Sequence, residues 1–130
     1  MNLQALPISS IYVAVFIVLQ LIFTLRVGLV RRRERISLGH GNNALLEQRI
    51  RAHANFTEVV PITLLALVLL EANGTSINLL HMFGVSFSVF RIMHYIAVAN
   101  ATAIAYRFYG MIGTLATMAA AAIALVVSVI

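Results

Sequence analysis

Arg51, Asn55 and Glu58 stand at i, i+4 and i+7 within the stretch RAHANFTEVVP, a spacing that puts all three on one face of a helix. That face offers a guanidinium, an amide and a carboxylate over about two turns. Arg91 and His94 form a second pair at i and i+3 and so also share a face. Arg107 lies further along the chain, and Arg31 and Arg32 lie well before it. Arginine stays charged and grips carboxylates through two parallel N–H bonds. Glu58 in the same set suits a ligand that also carries an amine. These residue types therefore fit a small zwitterion with an excess of carboxylate better than phosphate alone. Gly39-His40-Gly41 lacks the flanking strand and helix of a phosphate-cradling loop. The four histidines are scattered and cysteine is absent, so no metal site is expected. No serine is placed with a base and an acid for nucleophilic catalysis.

Plainer readings stand beside this one. Arg51 and Glu58 also describe a pair that neutralises itself while capping a helix bundle. A histidine facing neighbouring helices commonly serves as an interhelical hydrogen-bonder, although the arginine one turn from His94 favours a ligand. The run Arg31-Arg32-Arg33-Glu34-Arg35 reads first as an anchor on anionic headgroups. His53 falls about 200° round the helix from Arg51, toward another helix or the loop. His40 reads as a loop residue and His81 as an interhelical or interfacial contact. Gly84-x-x-x-Ser88 is a small-xxx-small helix contact, and Gly110 and Gly113 allow close packing. Ala119 to Ala122 reads as a small-residue packing face.

The elements that must hold these residues belong in a membrane. Of 130 residues, 62% are apolar and 10% charged, against about 25% charged in a soluble domain. The charges are nine arginines and four glutamates, with no lysine or aspartate. So few cannot coat a water-soluble globule, and the composition also excludes a disordered chain and a disulfide-stapled domain. A net charge of +5 invites a nucleic-acid partner. Yet seven of the nine arginines fall between Arg26 and Arg51, among long apolar runs, rather than over a solvated face. No nucleic-acid partner is expected.

Ile8 to Leu25 is eighteen residues without a charge, just enough to cross a hydrocarbon core of roughly 30 Å as a helix. Pro7 fits the first turn. Neither a basic region before this segment nor a small-residue cleavage site after it marks a signal peptide, so an uncleaved span is expected. Val59 to Leu70 is only twelve residues and spans the membrane only if the polar stretch from about Ala44 continues the same helix. Leu79 to Phe90 with its flanks makes a third span, and Phe108 to Ile130 a fourth. The expected fold is an all-α membrane protein, a four-transmembrane-helix bundle. It forms one domain over 1–130, with spans at about 8–30, 44–72, 76–98 and 106–130. Polar turns at Ser37 to Asn43, Glu71 to Ser76 and Asn100 to Thr102 separate them. Arginines crowd the first loop, and Arg107 follows the third. The positive-inside rule then places both loops in the cytoplasm and both termini on the opposite side. Arginines from several helix ends thereby meet at one membrane level.

The stretch Arg51-Ala52-His53-Ala54-Asn55-Phe56-Thr57-Glu58 with Pro61 resembles the R-A-x-x-N-x-x-E-x-x-P signature of the MAPEG family, membrane-associated proteins of eicosanoid and glutathione metabolism. Gly39-x-Gly41-Asn42 and Arg91-x-x-His94 are similar to that family's bacterial branch, and the resemblance covers roughly residues 20 to 115. It implies a homotrimer of four-helix protomers with sites at the subunit interfaces near the cytosolic face, in a bacterial inner membrane. It further implies a microsomal glutathione transferase-like enzyme of detoxification. Such an enzyme conjugates glutathione, its co-substrate, to lipophilic small molecules arriving among the membrane lipids, or reduces lipid hydroperoxides. By the same resemblance Arg51, Asn55 and Glu58 hold the tripeptide, with Glu58 on its amine. Arg32 and Arg31 match an arginine near the thiol, Arg91 and His94 line the pocket, and Arg107 stabilises the thiolate. Two positions depart: Ala54 stands where some members carry another arginine, and Val98 where several carry a tyrosine. A non-catalytic MAPEG-like membrane protein is therefore an alternative. A small four-span transporter is another, although such exporters carry a carboxylate in mid-first-span and Ile8 to Leu25 has none.

Overall fold

A computed structural model describes residues 6–130; the first five residues of the expected domain lie outside the described ones. Four helices follow one another: α1 (Pro7–Glu34), α2 (Ala44–Ala72), α3 (Ile77–Ala99) and α4 (Ile104–Val127). Each is long and apolar enough to cross a membrane, and no strand occurs among the described residues. The all-α, four-span architecture read from hydropathy is the one found. The short apolar run of the second span is completed by its polar approach, which belongs to the same helix of 29 residues. At 1.5 Å per residue α2 is about 43 Å long, so its polar first turns extend beyond the hydrocarbon.

The helix ends have local causes. Pro7 opens α1, and the Glu71 carboxylate at the end of α2 accepts from the backbone N–H groups of Ile8 (2.9 Å) and Ser9 (2.7 Å). The Ser9 hydroxyl donates to the same carboxylate. A negative charge on free N–H groups also favours the positive end of the helix dipole. At its other end α1 closes on Arg35 in the left-handed region (φ 55°), with Arg31, Arg32 and Arg33 in the last turn, where cations are favoured. Asn43 caps α2 by accepting from the N–H of Leu46 at 2.9 Å.

Short loops make consecutive helices antiparallel neighbours. The broadest packing is α3 on α4, then α1 and α3 on α2. One core region is aromatic: Phe16, Phe23, Phe56, Phe87 and Tyr95, with Phe23 and Tyr95 stacked at 3.4 Å between centroids. A second, around Tyr12, Leu67, Leu70, Leu80 and Phe83, fills the opposite end. His53 meets Gln20 (3.1 Å) and Thr24 (3.0 Å) on α1, and His81 meets the Tyr12 hydroxyl at 2.9 Å; both are the interhelical contacts expected. Ala119 to Ala122 is a correction: only Ala121 is buried, because the four successive residues point round the helix and one faces the bundle. Ile11, Val15, Val18, Ile22, Leu25 and Leu29 of α1 stay exposed, the face a bilayer would cover.

Candidate functional site

Where α2 begins, α3 ends and α4 begins, the three helices enclose a cleft of about 430 Å³. Glu47, Gln48, Arg51 and Asn55 enter it from α2, His94 and Val98 from α3, Ala101 from the turn, and Arg107 and Met111 from α4. The volume lies within the range of small-ligand pockets. Its i, i+4, i+8 ladder Glu47-Arg51-Asn55 follows from helical periodicity. α4 is held close by Gly110, where an added Cβ would sit 2.8 Å from the His94 backbone nitrogen. His94 Nδ1–H donates to the carbonyl of Arg107 at 3.0 Å, which fixes the imidazole against α4. In the neutral ring, Nε2 is then the acceptor, and it has no partner within the chain. Two guanidiniums against one carboxylate leave the cleft positive and suited to an anion.

The structure brings Arg51, Asn55, His94 and Arg107 together and leaves the other expected residues outside. Glu58 is exposed on the same face of α2, but seven residues further on, roughly 10 Å along the axis, and so beyond the cleft. It does not pair with Arg51; among the described residues the one ion pair is Arg33 with Glu34 at 2.7 Å. Arg91 does not line the cleft either. It is turned about 60° from His94 and is 0% exposed, with none of its three guanidinium nitrogens paired. Arg31 donates to the carbonyl of Gly39 at 2.7 Å in the loop, and Arg32 is exposed at the end of α1. Glu47 and Gln48 were not among the expected residues. They precede Arg51 by four and three residues, so helical spacing alone puts them on its face, one turn upstream of the Arg51–Glu58 stretch.

The sequence model of the MAPEG family matches residues 9–127. The chain belongs to the MAPEG family. Inner membrane protein YecN of Escherichia coli, in strains K12 and O6:H1, is 30% identical over 88 residues, which are 68% of this chain and 67% of YecN. For a MAPEG protein the position of the cleft matters: it opens at the arginine-rich end of the bundle, beside the signature residues Arg51 and Asn55. The departures noted at Ala54 and Val98 fall differently. Val98 forms part of the cleft wall, so the missing tyrosine leaves that wall apolar, whereas Ala54 is not a lining residue.

Proposed function

We propose that this chain is a membrane-bound glutathione transferase, working as a homotrimer at the cytoplasmic face of a bacterial inner membrane. The reading is carried by the convergence of Arg51, Asn55, His94 and Arg107 from three helices on one cleft. Glutathione, with two carboxylates, an amine and a thiol, matches that donor set. Arg51 receives a carboxylate, Asn55 orients it, and Glu47 faces the amine. Glu58 and Arg32, exposed on a single protomer, join the site where a neighbouring protomer closes the cleft. Membership of the family and the inner-membrane location in the name of YecN support the setting. The arginines of the first loop support the orientation.

When bound, glutathione supplies a thiol nucleophile. A thiol with a pKa of about 8.5 is mostly protonated at neutral pH, and a guanidinium beside it favours the thiolate. A shift of two units corresponds to about 2.7 kcal/mol. Arg107 supplies this charge, and the His94 contact to its backbone holds it in place. The sulfur then forms a bond to an electrophilic carbon of a lipophilic acceptor, whose leaving group departs with the bonding pair. Val98, Ala101 and Met111 give the acceptor an apolar wall. Ultraviolet titration of protein-bound glutathione tests the assignment. The thiol should ionise about two units below its free value in the parent protein and return to it in Arg107→Ala. An equal pKa in both proteins would reject Arg107.

A further inference from the structure

Gln20 stands in the uncharged run Ile8 to Leu25, six residues before Arg26, or about 9 Å of helix. An amide at that depth is costly unless its hydrogen bonds are met. Its Nε2 meets α2 at two points, 3.1 Å from His53 Nε2 and 3.3 Å from Thr57 Oγ1. Thr24 Oγ1 stands 3.0 Å from the same His53 nitrogen. The chemistry fixes which way the amide points. Thr57 spends its hydroxyl hydrogen on the carbonyl of His53 at 3.0 Å, so it accepts from Gln20, and the neutral His53 ring accepts at Nε2. Both amide hydrogens are thereby used, and among the described residues Gln20 Oε1 is left as an acceptor without a donor. A second acceptor belongs to Thr57 itself. Pro61, inside α2, has no N–H, so the Thr57 carbonyl loses its α-helical donor.

These groups open onto a cavity. Gln20 and Thr57, with Phe16, Ile17, Phe56 and Pro61, line a groove of about 420 Å³ between α1 and α2, within the size range of small-ligand sites. Helical spacing assembles it, with Phe16 and Gln20 at i and i+4 on α1 and Thr57 and Pro61 at i and i+4 on α2. Phe16 and Phe56 form an aromatic wall, their centroids 5.7 Å apart. No charged residue among the described ones lines the groove. Ile17, Thr57 and Pro61 are exposed, so it opens sideways at hydrocarbon depth. A ligand there comes from the bilayer rather than from water. An ionised one is too costly at that depth, and a plain acyl chain leaves both acceptors unmet. A neutral molecule with an apolar body and a hydroxyl donor satisfies both demands. We propose that the groove between α1 and α2 binds a lipophilic alcohol or phenol, its hydroxyl donating to Gln20 Oε1. The groove shares no lining residue with the cleft of Arg51 and Arg107, and it stands whether or not the cleft takes glutathione.

The test uses the full chain in phospholipid nanodiscs, with empty nanodiscs as the blank. Binding of tritiated para-octylphenol and dodecanol, each against its own methyl ether, is measured for the parent, Gln20→Leu and Ile17→Trp. The parent should bind a hydroxyl probe saturably and about fivefold more tightly than the matching ether. In Gln20→Leu the hydroxyl probe and its ether should bind alike. In Ile17→Trp the indole occupies the groove, and binding should fall by at least about tenfold. Glutathione affinity stays the same in both variants. Tighter binding of the phenol identifies an aromatic ligand, and tighter binding of dodecanol an aliphatic one. The site is overturned if neither hydroxyl probe binds the parent saturably, if the ethers bind as well, or if Gln20→Leu keeps the preference. Should Gln20→Leu fail to fold, Ile17→Trp decides: undiminished binding in it rejects the groove. Disulfide-linked chains in Ile17→Cys, with the probes excluded from the parent, would seat a second copy in the groove and also overturn the proposal.

Discussion

His94 sits between two helices and belongs to both. Its Nδ1 donates to the Arg107 carbonyl while its backbone abuts Gly110. Replacing that glycine with alanine would put a Cβ 2.8 to 2.9 Å from His94 main-chain and Cβ atoms, closer than carbon packs. Backbone atoms cannot rotate away, so α3 and α4 must separate. Gly110→Ala is expected to destabilise the bundle by about 1–3 kcal/mol, seen as a lower melting temperature in detergent and weaker ligand binding in the cleft. An unchanged melting temperature would mean the two helices adjust freely at this crossing. The residue scale also shows the limit of spacing arguments. An i, i+3 pair shares a face loosely, and a difference of about 60° is enough to send Arg91 into the core while His94 reaches the cleft.

At the scale of elements, α1 depends on a residue far away in sequence. Glu71 accepts from Ser9 across 62 residues, taking up N–H groups that a helix start leaves free. Glu71→Ala should cost about 1–2 kcal/mol, with α1 fraying at Pro7; hydrogen exchange of the Ile8 and Ser9 amides reads this directly, and unchanged protection would exclude the cap. The four helices themselves were legible in the sequence because long uncharged runs leave few alternatives, and α2 was legible once its polar approach was joined to Val59–Leu70. Glu71 was readable only as part of a polar turn, since no local pattern discloses a partner on another helix. Arg51, Asn55, His94 and Arg107 were legible because few polar residues survive at membrane depth, and each stands out. Glu58 and Arg91 shared that prominence, yet rise along one helix and rotation about another carried them away from the cleft.

The whole molecule is a bundle whose charges gather at one end. The proposed orientation puts that end in the cytoplasm. The chain has no cysteine, so a single Leu38→Cys in the exposed first loop gives a clean probe. It should resist a membrane-impermeant thiol reagent in intact cells and react after permeabilisation; labelling of intact cells would invert the topology. The proposed assembly predicts a native mass of three protomers in detergent, and a stable monomer would leave Glu58 and Arg32 without a role in the cleft. The most direct measurement is calorimetric titration of glutathione into the detergent-purified full chain, run in parallel on Arg51→Ala. Saturable binding to the parent, weakened at least about tenfold when the Arg51 guanidinium is lost, is expected. No binding to the parent, or equal binding to both proteins, would contradict a glutathione site in this cleft.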